Sequence, residues 1–498
     1  MNTKRDIWIC SLLGLGALIV RMLLVSKGPF SPESLNLALK AEQTVDTLQL
    51  QYMFGTGYPL TMIITAAAVF AGRFLGIDDP VLSANLMSVY ASALSIPVFY
   101  LLVKRLTGVP AAVIAAVLLA VSPIYLGISV YAKGHALELI FACGGLLALL
   151  DYSERHGANA LFVSALLFGC LGGVRVQDLV FIAPAAAYLM FFWNANKGQR
   201  LRDIAADACI LGVAVVAITV AFHLPYLLGA ERVAYLEQLG MFRGLSFTAA
   251  HSQSWFASWP YYREWFLTNF TGFGLLAAGV GLILAWRAER KMALLALIWF
   301  LVPFGFYLVI DTTIPRLFVI LLPPVIICAA YFLAYGYRRQ GMTAAVLGTL
   351  IAVLLAGRML FNIYPALKYR NYHAVVPEYV RWVRAQVPPD ARIICKDDFI
   401  FYEHYGGFVT LKRPNPRGGD TTYLEVYRRE LERLIAAGVP VYVSGVGLYS
   451  YDPGRVVSGY LKRYFDFHEV GRHPYEIWHT GELQTRVFED PLYQVVLK

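Results

Sequence analysis

Long apolar runs, separated by short polar loops, fill the first 360 residues of this 498-residue chain. A helix needs about 20 apolar residues to cross the ~30 Å hydrocarbon core of a bilayer, and eleven segments meet or approach this length. They lie at 6–25, 81–103, 109–128, 135–152, 160–174, 178–193, 204–226, 266–286, 292–310, 317–335 and 342–360. The pattern predicts a polytopic α-helical membrane protein with about 11 transmembrane helices, which form one module over residues 1–360.

The pattern changes after Arg358, where prolines and glycines interrupt a charged, aromatic-rich sequence. Apolar positions now alternate, or recur at helical spacing, over short stretches, as expected for a soluble α/β domain over residues 361–498. The predicted helices are Val376–Gln386 and Thr422–Ala437, and the predicted strands are Arg392–Cys395, Val439–Ser444 and segments near Glu476–His479 and Tyr493–Leu497.

Basic residues set the expected orientation, because Lys and Arg concentrate in the short cytoplasmic loops of membrane proteins. With eleven spans, the basic loops fall on one side; they contain Lys4/Arg5, Lys104/Arg105, Arg155, Lys197/Arg200/Arg202, Arg287/Arg290/Lys291 and Arg338/Arg339. That side is expected to be the cytoplasm, so the first long loop (27–80) and the C-terminal domain (361–498) are expected to be extracytoplasmic. No small-residue cleavage site follows Ser26, so we expect the first span to be retained rather than removed as a signal peptide.

The segment Pro59–Gly76 is apolar enough to be a twelfth span. Inserting it would move every basic loop from Lys104 onward to the opposite side, against the charge rule. Its small or weakly polar residues recur at helical spacing; they are Thr61, Thr65, Ala68, Gly72 and Gly76. The larger apolar residues are left for another face; they are Leu60, Ile63, Ile64, Phe70, Phe74 and Leu75. The pattern therefore favours a helix lying along the outer membrane interface.

Composition narrows the classes of function. Hydrophobic residues make up 58% of the chain and charged residues 15%, which is typical of an integral membrane protein. The net charge of +9 would suggest a nucleic-acid partner for a soluble protein, but here the bases lie between apolar runs, so no nucleic-acid partner is expected. Of the six cysteines, all but Cys395 lie in apolar runs, so neither a disulfide framework nor a thiolate metal site is predicted.

The outer side of the predicted bilayer carries one well-placed carboxylate and several bases. Glu33 is the first carboxylate beyond the first span, although it also suits the first turn of a helix, where acidic residues are stabilising. Lys133, Arg175, Arg263 and Arg316 are expected at the outer membrane level, where bases bind lipid phosphates or contact headgroups. His135 is a candidate for phosphate or sugar binding, with a structural role at a helix start as the alternative. The lower-ranked outer carboxylates are Glu138, Asp178 and Asp311.

Several short motifs occur along the chain in a characteristic order. They are Phe30-Ser31-Pro32-Glu33-Ser34, Gly57-Tyr58-Pro59-Leu60, Lys104-Arg105-Leu106-Thr107-Gly108, Ser122-Pro123-Ile124-Tyr125 with Tyr131–Ala136, Gly172–Asp178, and Pro315-Arg316-Leu317-Phe318 with Pro323-Pro324. In this order the chain resembles the C-type (GT-C) glycosyltransferases, notably the protein O-mannosyltransferases and the lipid A aminoarabinose transferase. The resemblance covers residues 1–360 by pattern rather than by identity.

This resemblance implies a GT-C-like fold and transfer of a sugar from a polyprenyl-phosphate-linked donor to a protein, lipid or glycan acceptor. It implies that Glu33, which stands where the family usually has Asp, is the catalytic base. Lys133, Arg175, Arg263 and Arg316 are expected to bind the donor phosphate because of their outer membrane level, and Tyr58 and His135 are further donor-binding candidates. His135 occupies the position of a second family Asp, so a metal-assisted variant is not supported and no cofactor is expected.

The chemistry of such a site is simple, because a lipid phosphate is already a good leaving group. Inverting transfer then needs one carboxylate to accept the acceptor's proton and fixed positive charge to hold the departing phosphate, without a second catalytic acid.

Two other classes of function stay open. A transporter or lipid-linked glycan flippase would need ionisable groups deep in the membrane or paired broken helices. Neither is expected near the centre of a predicted span. An assembly subunit whose outer domain is the working part is the third possibility. In each case we expect a multi-pass protein of the plasma (inner) membrane, with membrane lipids among its partners.

Overall fold

The computed structural model describes residues 3–53, 58–193, 201–229, 232–237, 259–310, 314–339, 341–414, 422–450, 452–477, 483 and 486–498. The chain divides into two compact units. The first unit contains Met1–Val25, Leu37–Lys368 and Glu482–Gln484, and the second contains Ser26–Asn36, Tyr369–Gly481 and Thr485–Lys498.

The described part of the chain up to Tyr372 is mostly helical. They lie at Thr3–Leu23, Pro32–Thr47, Pro59–Phe74, Pro80–Thr107, Val109–Ala120, Pro123–Ile128, His135–Arg155, Ala158–Val174, Val176–Phe191, Leu201–Leu228, Trp259–Ala288, Arg290–Ile310, Leu322–Leu333, Tyr335–Arg339 and Gly341–Tyr372, with a 3-10 helix at Pro315–Leu321.

Eight of the described helical segments are long and apolar enough to cross a membrane. They are Lys4–Leu23, Pro80–Thr107, His135–Arg155, Leu201–Leu228, Trp259–Ala288, Arg290–Val309, Pro315–Leu333 and Gly341–Gln386. The three remaining predicted spans coincide with shorter apolar helices, Val109–Ala120, Ala158–Val174 and Val176–Phe191. The chain is an integral, multi-pass helical membrane protein, and the number of eleven spans stays a prediction.

Two predicted spans are broken, contrary to the expectation of continuous helices. The helix Val109–Ala120 ends before Ser122 and a new one starts at Pro123, because proline has no backbone N–H and suits a first helical position. The helix Trp259–Ala288 is interrupted at Thr271, whose φ of 62° and ψ of 165° are not helical. Asn269 satisfies polar groups at the first break, because its Oδ1 accepts hydrogen bonds from Ser122 Oγ and Ile124 N, each at 2.9 Å.

The helix Pro59–Phe74 packs with its small residues inward. Thr61, Thr65 and Gly72 are buried, whereas Phe70 and Phe74 are 64% and 86% exposed. Leu60 departs from the prediction, because it is buried against Gly173 instead of facing outward. The location of this helix at the membrane interface stays a prediction.

The second unit is built around a five-stranded sheet. Its strands are β1 (Arg392–Cys395), β2 (Val409–Lys412), β3 (Val441–Ser444), β4 (Phe465–Glu476) and β5 (Val487–Leu497), in the order β2-β1-β3-β5-β4. Strand β1 is parallel to β2 and β3, while β5 is antiparallel to β3 and β4. The helices of this unit are Val375–Gln386, Phe399–Gly406, Thr422–Ala436, Gly445–Tyr449 and Val456–Tyr464. The predicted α/β class is therefore confirmed.

Close contact between helices in the first unit depends on glycine at one position. A Cβ atom on Gly281, in the helix Trp259–Ala288, would lie 1.8 Å from the carbonyl oxygen of Cys328 in the helix Leu322–Leu333. The same test at Gly279, two residues earlier, finds no heavy atom within 4 Å. Backbone at Cys328 cannot move as a side chain can, so the two helices approach this closely only because residue 281 is glycine.

We therefore expect Gly281→Ala to destabilise the first unit by about 1–3 kcal/mol, the usual cost of overpacking. Gly279→Ala is the matched control, since it adds the same methyl group to the same helix in open space. Thermal unfolding of the detergent-purified variants measures the difference. Equal midpoints for the two variants would show that the contact is not as close as described.

Candidate functional site

A buried group of charged side chains lies within the apolar helices of the first unit. This charged cluster consists of Lys133, His135, Glu138, Arg175, Asp178 and Arg316, each 7% exposed or less. His135 lies within electrostatic range of Arg175, Arg316, Lys133 and Asp178 and contacts Glu138, so the six side chains form one electrostatic group. The structure thus brings together four of the predicted donor-binding residues.

Arg175 is the centre of the cluster. Its Nη1 lies 3.4 Å from Glu138 Oε1 and 3.3 Å from Asp178 Oδ1, and its Nη2 donates to Gln177 Oε1 at 2.9 Å. Glu138 Oε1 also contacts His135 Nδ1. One guanidinium therefore links two buried carboxylates that belong to different helices.

Helix ends place these side chains. Arg175 is an extended residue (φ −164°, ψ 109°) between the helices Ala158–Val174 and Val176–Phe191. His135 starts the helix His135–Arg155, with Glu138 in its first turn, and Asp178 lies in the first turn of Val176–Phe191. Acidic side chains are stabilising there, because the helix dipole is positive at the N-terminus.

The helix Pro59–Phe74 approaches the cluster closely because two of its neighbours are glycines. A Cβ on Gly134 would lie 2.8 Å from Thr61 Oγ1, and one on Gly173 would lie 3.1 Å from Leu60 Cβ. Tyr58, just before this helix, has a left-handed φ of 47° and interacts electrostatically with Arg175. Tyr58 is thus the fifth predicted donor-binding residue in this region.

Among the described residues, the cluster contains more basic than acidic side chains. The Lys and Arg side chains are Lys133, Arg175 and Arg316, and the carboxylates are Glu138 and Asp178. The buried donor Arg175 Nε has no hydrogen-bond partner among the described residues. Buried charges are costly unless they are balanced, so the excess favours an anion close to the cluster.

Glu33 belongs to the second unit and lies in the first turn of the helix Pro32–Thr47. The helix start is capped, since Ser34 N donates to Ser31 Oγ at 3.3 Å and Ser31 N donates to Ser34 Oγ at 2.9 Å. The preceding chain is held by Arg370, whose carbonyl accepts from Lys27 N at 3.0 Å. The guanidinium of Arg370 lies 3.8 Å from the centre of the Phe30 ring. Glu33 is half-buried on this fixed segment.

The remaining site residues predicted from the sequence have different surroundings from one another. Arg263 is exposed near the start of the helix Trp259–Ala288, outside the buried charged cluster, and its expected role in donor binding stays a prediction. Asp311 lies outside the described residues. Glu138 and Asp178, ranked low from the sequence, are central to the cluster. The signal for both was a base followed at i+3 by an acid, in His135–Glu138 and Arg175–Asp178.

Among the described residues, no group of three or more His, Cys, Asp or Glu side chains is arranged to hold a metal ion.

Residues 66–226 match the family model described as dolichyl-phosphate-mannose-protein mannosyltransferase. No curated protein matches the chain in sequence.

Three solved structures share the fold. An oligosaccharyltransferase from Archaeoglobus fulgidus, solved with Zn and sulfate, is 13% identical, with a TM-score of 0.62 over 95% of this chain and 72% of its own. ArnT from Cupriavidus metallidurans, bound to undecaprenyl phosphate, is 14% identical, with a TM-score of 0.58 over 99% of this chain and 98% of its own. The mycobacterial arabinofuranosyltransferase AftD is 14% identical, with a TM-score of 0.52 over 98% of this chain and 40% of its own.

The chain therefore has the fold of the GT-C glycosyltransferases, as its motifs predicted. The family-model match and the fold together indicate a membrane glycosyltransferase.

Proposed function

We propose that this protein transfers a sugar from a polyprenyl-phosphate-linked donor to an acceptor on the extracytoplasmic face of the plasma membrane. The observation that carries the proposal is the buried charged cluster, which has an excess of basic side chains inside an apolar helical unit. ArnT was solved with undecaprenyl phosphate, and the archaeal oligosaccharyltransferase was also solved with a dolichol-phosphate and an inhibitory peptide. These ligands support a lipid-linked donor here.

The donor phosphate would bind at the charged cluster. A lipid phosphate brings its own negative charge to the membrane boundary, where Lys133, Arg175 and Arg316 offer charge-assisted hydrogen bonds. Two of the three bases lie at helix boundaries, Arg175 between two helices and Arg316 in the first turn of a 3-10 helix. This location favours a headgroup site over a transport path, which would need ionisable groups at mid-membrane depth.

Fixed charge at this position would also lower the barrier to transfer. As the acceptor oxygen attacks the anomeric carbon, the bond from that carbon to the phosphate oxygen breaks and its electrons remain on the phosphate. Bases that are already oriented and desolvated stabilise this developing charge without reorganising. Glu33 would accept the acceptor's proton, so the reaction inverts the anomeric centre and needs no second catalytic acid. Independence of divalent metal is part of the same proposal.

We expect Arg316→Ala to weaken binding of undecaprenyl phosphate by about tenfold or more, because a hydrogen bond to a charged group contributes roughly 1.5–3 kcal/mol. Arg358→Ala is the control, since it removes an equal charge from an exposed position in the same unit. Native mass spectrometry of the detergent-purified proteins measures lipid occupancy. If the two variants retain the lipid equally, Arg316 has no role in donor binding.

We expect Glu33→Gln to slow transfer by about 10²–10⁴-fold with donor binding intact, since general-base catalysis typically contributes that factor. The measurement is single-turnover release of free polyprenyl phosphate from donor lipids extracted from the native membrane. Glu469→Gln, a substitution on the exposed part of β4, is the control.

A merely structural Glu33 would give the opposite result. Loss of a first-turn charge costs at most about 1 kcal/mol of stability and leaves turnover nearly unchanged. A rate within about threefold of the parent would place the base elsewhere. The next carboxylates on the same helix, Glu42 and Asp46, are ion-paired with Arg73 at 2.9 and 2.5 Å, which makes them weaker candidates.

The proposed orientation also predicts which introduced cysteines can be labelled from outside the cell. In a cysteine-free background, a cysteine at the exposed Asp390 should react with a membrane-impermeant maleimide added to intact spheroplasts, because residues 361–498 are expected outside. A cysteine at Arg287, in a predicted cytoplasmic loop, should react only after permeabilisation. The reverse pattern would contradict the orientation.

A further inference from the structure

The second unit contains a cavity of about 400 Å³ that the proposed sugar transfer does not use. Asp397 and Asp398, which follow β1, form one wall, and Gly445–Ser450, which follow β3, form another. Residues 488–491 of β5 complete it, together with Tyr475 and Ile477.

The cavity lies where the topology of the sheet places a ligand site. From β1 the chain runs to β2 on one side, whereas from β3 it continues to β4 and β5 on the other. Neighbouring parallel strands whose connections leave in opposite directions form a crevice at their carboxyl ends, and open α/β sheets bind ligands in such crevices.

Asp490 is a buried carboxylate on the wall of this cavity. It is 1% exposed, and its Oδ1 accepts a hydrogen bond from Val446 N at 3.0 Å. Its Oδ2 makes no well-formed hydrogen bond among the described residues, although the Tyr379 hydroxyl interacts with the carboxylate. A Cβ on Gly445 would lie 2.5 Å from Asp490 Oδ1, so this close approach of the backbone requires glycine. A buried carboxylate oxygen whose one neighbouring donor is poorly aligned retains the capacity to accept a hydrogen bond from a ligand in the cavity.

The charge of the wall selects the kind of ligand. Four of its described residues are acidic and none is Lys or Arg; the acidic ones are Asp397, Asp398, Glu489 and Asp490. Lys396 offsets Asp397 at 3.5 Å, and the nearby Arg413 lies 4.0 Å from Asp452. The rest of the wall is mainly aromatic and aliphatic, with Tyr449, Tyr475 and Phe488 among it. Carboxylates beside aromatic rings attract cations and repel anions.

We propose that this cavity binds a small organic cation, an ammonium group on an apolar or sugar-like body, with Asp490 and Asp398 as its counter-charges. The site is separate from the charged cluster and does not depend on glycosyl transfer.

Acid–base properties support this assignment. Burial, with a contribution from the charge of Asp398, raises the pKa of Asp490 to about 7. The groups facing Asp490 are Asp398 and the tyrosines Tyr379, Tyr402 and Tyr475. A bound cation favours the ionised carboxylate, and Asp490 takes up a proton as the pH falls through that pKa. Affinity should therefore decrease from about pH 8 to about pH 6.

The test uses the full-length protein in detergent and saturation-transfer NMR titrations. Cyclohexylammonium is compared with its neutral counterpart cyclohexanol, and D-glucosamine with D-glucose. Asp490→Asn keeps the shape and the bond from Val446 while removing the charge, and Glu489→Gln removes an exposed charge with little risk to folding. Asp390→Asn, on the surface of the same unit, is the control.

We expect at least one ammonium probe to bind about tenfold or more tightly than its neutral counterpart, with Asp490→Asn abolishing that preference and Asp390→Asn preserving it. Preference for glucosamine identifies an amino sugar as the ligand type, and preference for cyclohexylammonium alone identifies an apolar amine. Equal binding of each charged and neutral pair, or unchanged preference in both Asp490→Asn and Glu489→Gln, overturns the proposal.

Discussion

The first unit depends on one constraint: the six side chains of the charged cluster must be buried among apolar helices. An isolated buried charge is strongly unfavourable, so each carboxylate of the cluster is placed beside Arg175 and in the first turn of a helix. The interruption at Arg175 ends one helix and begins the next, so Asp178, three residues later, lies in a first helical turn beside the guanidinium. The helix boundary and the site are therefore the same feature of the chain.

Broken helices recur where the first unit carries its polar groups. Ser122 and Thr271 each interrupt a helix, and Asn269, two residues before Thr271, bonds to the first break. Within a membrane, irregular backbone is tolerated where neighbouring protein groups satisfy it, and Asn269 does this directly. Glycines at 134 and 173 then let the helix Pro59–Phe74 approach the same region. Small residues and helix breaks thus shape the surroundings of the cluster.

The sequence was sufficient for the fold class, since periodicity locates helices and short motifs identify the GT-C pattern. The predicted spans placed Lys133, Arg175 and Arg316 at the same outer membrane level, but spacing does not show which helix ends meet, so their contact with one another could not be predicted. Glu138 and Asp178 were ranked low, because a lone carboxylate near a helix start is ordinary and because the contact that joins the two acids, between Arg175 and Glu138, links residues distant in sequence. Strand β2 was missed because four residues, Val409-Thr410-Leu411-Lys412, are too short for their alternation to stand out from a loop.

The excess of basic side chains in the cluster is proposed to form the binding site for the phosphate of a polyprenyl lipid. The most direct measurement is a cryo-EM structure of the detergent-purified protein with undecaprenyl phosphate. We expect phosphate density within hydrogen-bonding distance of Arg175, Arg316 or Lys133. Lipid phosphate bound elsewhere, with the cluster unchanged and unoccupied, would contradict it.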